Sequence, residues 1–342
     1  MKNRSEFRKD IISGDWILVS PGRAKRPGEP GAKRNVRKRT PVSRCPFEHP
    51  FKNVDEHIIL EYSKRGVQVP HGEERRGNDW SMLVLQNKYP AVRHGGKKPV
   101  ARSGRFFETM EGVGDHDLLI TRDHDKNFPA LSPSAAFHVL QAFRDRYLML
   151  FGEKNTAYVS MFQNYGPAVG GTVYHPHYQL IAIPVVPPDV MHSLDGSRRY
   201  FRANGACAHC AMIEWERKEK KRLILETEHA VAFAPFVSRN AFEVRVFPKQ
   251  HRPYFENTSD VELADIAHAL QEVLRRVKKN LGDPDYNFFV HTAPMEHKER
   301  HAHYHWHIEI YPFWNIRAGF EMETGLTINP VDPDLAAKTL RR

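Results

Sequence analysis

Asn164-Tyr-Gly-Pro-Ala-Val-Gly-Gly-Thr172 runs through Val-Tyr into His175-Pro-His177-Tyr-Gln179. A glycine-bearing loop thus leads into a segment whose polar residues alternate. Alternation of period two is the mark of a strand, and it puts His175, His177 and Gln179 on one face. The pattern returns near the other end of the chain as His305-Trp-His307-Ile-Glu309. A repeated motif of this size is read before any local element, because it sets the architecture.

Working outward, the first copy is preceded by a β-like stretch, Asp117–Thr121, that runs into His124. An amphipathic helix is expected from about Pro133 to Phe151, with Ser132 as its N-cap and Phe137, Leu140, Phe143, Tyr147 and Leu150 at helical spacing. A strand at 157–162 follows. The second copy keeps the order: a stretch at 242–247 running into His251, a helix over 260–281 closed by Gly282, and a strand at 286–290. His124 and His251 are 127 residues apart, and His175 and His305 are 130 apart. Two related α+β halves are therefore expected, each a mostly antiparallel sheet with a covering helix. They are placed at residues 1–190 and 191–342, with the boundary near Val186–Gly205.

Composition agrees with a globular chain of two core-sized units. The 342 residues are 40% hydrophobic and 11% aromatic, with a mean hydropathy of −0.59. The longest apolar run, Leu180–Pro188, is far short of a membrane span. The opening Met-Lys-Asn-Arg-Ser lacks the apolar core of a signal peptide. Three cysteines do not suggest a disulfide scaffold, so a cytoplasmic enzyme is expected. Of the net charge of +10, +8 sits in residues 21–44. That segment reads as a nucleic-acid patch, a phosphate-binding arm or a solvated loop. Its lack of aromatics counts against nucleic acid.

The repeat also carries metal chemistry. Zinc takes four N, S or O ligands in a tetrahedron. The second half offers Cys207, Cys210, His251 and His305, with a redox-active cysteine pair as the alternative. The first offers Cys45, Glu48, His124 and His175, with His49 as a substitute for Glu48. Two zinc sites are expected, and ligand type alone leaves iron as an alternative. A neutral His177 beside a loop whose backbone N–H groups face an anion suits covalent catalysis. A plain metal-binding H-x-H or a buried sheet histidine would give the same pattern.

The run H-P-H-Y-Q after this loop resembles the active-site signature of the galactose-1-phosphate uridylyltransferase family, a branch of the histidine-triad superfamily. Asp15-Trp-Ile-Leu-Val-Ser-Pro-Gly-Arg23-Ala-Lys-Arg26-Pro27 resembles its opening motif, and Gly319-Phe320-Glu321-Met322 its hexose-binding segment. The stretch Ile181–Gly196, with the C-x2-C, is similar to a subgroup that includes ADP-glucose phosphorylase.

The resemblance implies two histidine-triad-like halves. His177 would be the nucleophile toward a nucleoside diphosphate sugar, and Gln179 its partner in place of a third histidine. Arg23, Arg26, Asn87, Asn164, Gly170 and Thr172 would bind nucleotide and phosphate. Phe320 and Glu321 would bind sugar, in this family from the partner of a homodimer. A uridylyltransferase acting on a sugar 1-phosphate is the first expectation. Adenylyl transfer from ADP-glucose to phosphate is the second, and a non-catalytic zinc-stabilised nucleotide-binding protein the third. Departures are Glu48 for a cysteine, Gly171-Thr172 for Cys-Ser, and Lys88 for an aspartate. Glu309 at the place of Gln179 speaks against His307 as a second nucleophile. The basic residues Lys33, Arg34, Arg37, Lys38 and Arg39, and the cluster His297, His301 and His303, are expected in solvated loops.

Overall fold

The computed structural model describes residues 4–25, 37–53, 58–66, 68–69, 80–95, 99–153 and 156–342. The chain opens with β1 (Glu6–Lys9) and β2 (Trp16–Val19), then a short α1 (Pro50–Asn53). The first half continues through β3 (Ile58–Ser63), β4 (Gln68–Val69), β5 (Trp80–Gln86), β6 (Arg93–His94), β7 (Ala101–Ser103), β8 (Glu108–Met110) and β9 (Val113–Thr121). It closes with α2 (Pro133–Leu150), β10 (Tyr158–Tyr165) and β11 (His177–Ile183). After α3 (Pro188–Asn204) and α4 (Ala208–Glu219) come β12 (Leu223–Glu226), β13 (Ala230–Phe233), β14 (Val244–Pro248), α5 (Asp260–Leu281), β15 (Tyr286–His291) and β16 (His307–Pro312). The chain ends with α6 (Gly319–Thr324), β17 (Ile328–Asn329) and α7 (Pro333–Leu340).

Both halves contribute to one sheet, ordered β12-β13-β14-β16-β15-β10-β11-β9-β5-β3-β4, with β6 beside β9. The halves meet where β10 pairs antiparallel with β15, from Met161↔Val290 to Tyr165↔Tyr286. The order is near-symmetric about that seam, with β11 and β16 in matching places. The expected α+β class holds, but the two sheets are fused edge to edge.

The two helices follow from their sequences. Ser132 accepts a hydrogen bond from the Ala135 amide, and Pro133 supplies a preset first turn. Ser259 and Glu262 form a capping box on α5, and Gly282 closes it at φ 76°. Both helices cover the same face of the sheet. One core holds Val139, Leu140, Phe143 and Tyr147 of α2 with Leu263, Ile266, Leu270, Val273 and Val277 of α5. Against them lie Tyr178 and Leu180 of β11, Phe288 and Val290 of β15, and Ile308 and Ile310 of β16. Each fully buried aliphatic side chain contributes about 1.5–3 kcal/mol relative to exposure.

That packing settles the other face by alternation. With Tyr178 and Leu180 turned to the helices, His177 and Gln179 face away from them. With Ile308 and Ile310 inward, so do His307 and Glu309.

The region 186–205, expected as a boundary, is mostly helix. Pro188 starts α3, Val190 and Leu194 are buried along it, and Gly205 caps it at φ 68°. No helix among the described residues is long and apolar enough to cross a membrane.

Leu270→Ala, at a position with no solvent exposure, is expected to cost about 2–5 kcal/mol in chemical denaturation. Ser259→Ala is expected to cost about 1 kcal/mol, since it breaks only the cap. Equal losses from the two substitutions would contradict this account of the core.

Candidate active site and metal centres

His177 is the first residue of β11, opposite Ile120 of β9, and is 8% exposed. Its Nδ1–H donates to the His175 carbonyl at 3.0 Å. A carbonyl only accepts, so the proton is on Nδ1 and the Nε2 lone pair is free. Burial lowers the pKa of the ring from its ordinary value, which keeps it neutral. Phe47 packs against it, with ring centroids 5.5 Å apart. His177 lines a cavity with Asn164, Tyr165, Gly166, Pro167, Gly171 and Thr172 of the loop.

The loop is tightly folded. Gly171 donates to the Gly166 carbonyl at 2.9 Å. A Cβ on Gly171 would lie 2.7 Å from the Asn164 carbonyl oxygen, too close for any side chain. Gly170 has φ +91°, the left-handed region that favours glycine. The Asn164 carbonyl oxygen of the side chain accepts from Asn287 of β15 at 2.8 Å.

Gln179 is set by a residue that the sequence reading missed. The Ala91 amide donates to His116 Nδ1 at 3.0 Å, so the His116 proton is on Nε2. That Nε2–H donates to Gln179 Oε1 at 3.0 Å. Gln179 therefore keeps its NH₂ group as a donor. Asn87 sits in the same cluster, its Nδ2 3.1 Å from His116 Nε2. The available signal was a lone histidine between two aspartates, Asp115-His116-Asp117, in an otherwise apolar strand.

Four donor groups converge beside His177. Atoms of Cys45, Glu48, His124 and His175 all lie within 4.8 Å of one another. His124 Nε2–H donates to the Thr40 carbonyl at 2.8 Å, and His175 Nε2–H to the Thr121 carbonyl at 2.7 Å. Both histidines thus turn an unprotonated Nδ1 inward. Those lone pairs stand 2.9 Å and 3.3 Å from Glu48 Oε1. Acceptors facing acceptors at such distances are what a bound cation resolves. Burial pushes the Cys45 thiol up, which a metal would reverse. His49 is exposed and outside the group.

The second centre repeats the design with Cys207, Cys210, His251 and His305. Cys210 Sγ lies 3.4 Å from His251 Nδ1 and 3.5 Å from His305 Nδ1. His251 Nε2–H donates to Ala302 O at 2.8 Å, and His305 Nε2–H to Pro248 O at 3.0 Å. Cys207 is the N-cap residue of α4 and Cys210 lies in its first turn, where the helix end favours negative charge. The Cys207 thiol is held low, chiefly by its hydrogen bond with Cys210. A donor set of two thiols and two imidazoles in one shell fits zinc.

His307 copies His177 in part, donating from Nδ1 to the His305 carbonyl at 3.1 Å. Its Nε2, however, faces Glu309 at 3.4 Å, and burial lowers its pKa to about 3. Glu309 also pairs with Arg245 at 2.9 Å and accepts from Tyr311 at 2.8 Å. Glu309, His307, Arg245 and His291 line a cavity of their own, where the carboxylate stands in the place of Gln179. His291, unforeseen in the sequence, stands opposite His307 across the β15–β16 ladder and joins it and Glu309 in a third donor group.

Several expected residues lie elsewhere. Arg23 is in a 3-10 turn at Pro21–Lys25, and Phe320 and Glu321 are on α6, where Glu321 accepts from the Ala318 amide. None of the three lines the His177 cavity. Arg26, Lys33 and Arg34 lie outside the described residues. The expectation of solvated loops fails at two places. Arg37 is ion-paired with Asp283 and Asp285, and His303 is buried with Nε2 donating to Leu194 O. Arg39 is exposed, gripping Asp125 at the surface with two nitrogens.

The comparisons with known proteins bear on this site. Residues 1–187 match the model of the galactose-1-phosphate uridyl transferase N-terminal domain, and residues 193–322 that of its C-terminal domain. The chain belongs to the galactose-1-phosphate uridyl transferase family. It is an enzyme, a nucleotidyltransferase of that family. It is 32% identical to an ADP-glucose phosphorylase of Arabidopsis thaliana over 100% of this chain and 94% of the relative. It is 25% identical to a galactose-1-phosphate uridylyltransferase of Thermotoga maritima over 98% of each. A solved ADP-glucose phosphorylase from Arabidopsis thaliana, with bound ADP-glucose, superposes with a TM-score of 0.80 at 30% identity, over 99% of each chain.

Elemental analysis of the purified protein is expected to return two metal ions per chain. Cys210→Ser should remove one and lower the melting temperature, while Glu48→Ala should weaken retention of the other during dialysis against chelator. Full retention in both variants would refute these ligand sets.

Proposed function

We propose that the protein moves a nucleotidyl group from a nucleoside diphosphate sugar to a phosphate-bearing acceptor through a covalent intermediate on His177. The observation that carries this reading is the Nδ1–H bond from His177 to the His175 carbonyl. It fixes a neutral ring with Nε2 unprotonated over a glycine loop suited to phosphates.

His177 Nε2 attacks the α-phosphorus, a P–N bond forms, and the bond to the bridging oxygen breaks. Sugar 1-phosphate leaves with that electron pair. An oxygen of the acceptor phosphate then attacks the same phosphorus and the P–N bond breaks, returning the imidazole. Gln179, anchored by His116, offers an N–H donor to the phosphoryl oxygens as charge builds. An amide neither gives nor takes a proton at neutral pH, which favours transfer over hydrolysis. Asn164, Gly170 and Thr172 shape the phosphate end, and Asn87 lies beside Gln179. Arg23, Arg26, Phe320 and Glu321 retain the roles that the family resemblance implies. Since Phe320 and Glu321 do not line the cavity of their own chain, their sugar-binding role belongs to a homodimer.

Zinc is the proposed metal at both four-residue centres. When bound, it would pin Cys45 and Glu48 to His124, just after β9, and to His175, just before β11, and so fix the approach to His177.

For the nucleotide, adenylyl transfer from ADP-glucose to phosphate is placed first, because whole-chain identity is higher to the phosphorylase than to the uridylyltransferase. This reverses the order drawn from the signature alone. Uridylyl transfer from UDP-glucose is the second reading, favoured by the match of both domains to the uridyl transferase models.

Incubation with α-³²P-labelled ADP-glucose and UDP-glucose separately tests both parts. Labelled protein is expected from ADP-glucose at the higher rate, with release of glucose 1-phosphate. His177→Asn should cut labelling by about a thousandfold or more. Gln179→Glu should slow it about a hundredfold, by replacing a donor with a charge that repels phosphate. Persistent labelling of His177→Asn would sink the mechanism, and faster labelling by UDP-glucose would reverse the nucleotide order.

A further inference from the structure

Arg37, at the end of the basic segment, reaches across the sheet seam to the second half. Its side chain is 12% exposed and that of Asp285 is fully buried, with Arg37 Nε 2.9 Å from Asp285 Oδ1. Arg37 Nη1 donates to Asp283 Oδ2 at 2.8 Å, and Nη2 to the carbonyls of Asp283 and Pro284 at 3.0 and 2.8 Å. The guanidinium lies 3.9 Å from the ring centroid of Tyr165. Such a planar fork with stacked ring is a geometry that lysine does not reproduce.

Asp285 in turn holds the phosphate loop. Its Oδ2 accepts from the Ala168 amide at 2.9 Å. A Cβ on Gly166 would sit 2.1 Å from the Asp285 carboxyl, so the loop closes directly onto that group. Gly166 has φ +99° as well. Two positions further along the strand, Asn287 donates to the Asn164 side chain and to the Val169 carbonyl. A buried carboxylate persists only with a compensating charge, and Arg37 supplies it. Arg37 itself lines the His177 cavity together with Gly166 and Thr172.

We propose that the Arg37–Asp285 ion pair is the positioning device of the phosphate loop, which makes the second half part of the catalytic machinery. The inference rests on the nucleotidyl-transfer reading above. Arg37 and Asp285 touch neither His177 nor Gln179. They act through Gly166, Ala168 and the loop amides, which must meet the donor's phosphates in a fixed place.

The test is a double-mutant cycle on the full chain with Arg37→Ala, Asp285→Asn and the pair, scored by single-turnover labelling of His177 and by calorimetric titration with ADP and UDP. Each single variant is expected to lower kcat/KM for labelling at least tenfold, mostly through KM. The double variant should be no worse than the weaker single one, because the pair acts as a unit. Arg37→Lys should recover part of the loss by restoring the charge. Nucleoside diphosphate binding should weaken in parallel.

Variants that melt lower yet keep the parent kcat, KM and ADP affinity would overturn the proposal and leave the pair purely structural. Losses that multiply in the double variant would overturn it too. A parent protein that takes up no label refutes the transfer reading itself. In that case the ADP and UDP affinities still decide whether the pair shapes a phosphate site.

Discussion

The antiparallel contact between β10 and β15 is the constraint on which the molecule is built. It joins two similar halves into one sheet with a shared main core, and it fixes the phase of every strand beside it. Once Phe288 and Val290 turn to the helices, the ladder carries the same choice to Met161, then to Tyr178 and Leu180. His177 and Gln179 are left no face but the outer one. A slip of one residue in this register would bury the imidazole among aliphatic side chains and expose the core. Chemistry and packing are therefore set by the same hydrogen bonds. The seam also brings Asn287 and Asp285 against a loop more than a hundred residues earlier, so the first half does not hold its own catalytic loop unaided.

The two copies diverged where one side chain decides the outcome. Gln179 and Glu309 occupy matching positions on β11 and β16. The amide leaves His177 with a free nitrogen and an open cavity. The carboxylate draws in Arg245, Tyr311 and two histidines, and these paired groups line the equivalent space. The metal centres kept their common plan better. Each uses two histidines that point Nδ1 inward and give Nε2–H to a backbone carbonyl, a device that sets the tautomer without another ionisable group.

Much of this was legible in the sequence because the signals were local or repeated. The α5 periodicity and its Gly282 end placed the helix over 260–281, where it lies. The two four-residue groups were named from the histidines' matched offsets and the nearby cysteines, and their donor atoms do converge. What escaped was long-range. Nothing in a basic Pro/Gly-rich run distinguishes Arg37, which meets Asp285 across 248 positions, from a solvated neighbour. His116 and His291 each lie in strands whose sequence carries no address for a distant partner. His303 looked like one more histidine of a hydrophilic loop until α3 supplied the Leu194 carbonyl. The helix α3 was itself hidden by prolines that mark its beginning rather than a linker.

The strand pair β1–β2 binds distant parts of the chain into one small sheet. β1 and β2 complete their sheet only with β17, where Ile328 aligns with Leu18, and Arg8 reaches Asp332. Gly196 meets the Ile12 carbonyl so closely that a Cβ there would overlap it. Docking of β1 and β2 therefore requires a segment about three hundred residues further along the chain. Pairing over such a separation is slow, since the loop-closure entropy is met before any contact forms. Without β17, β2 would present an unpaired edge, an opening for strand addition by another chain.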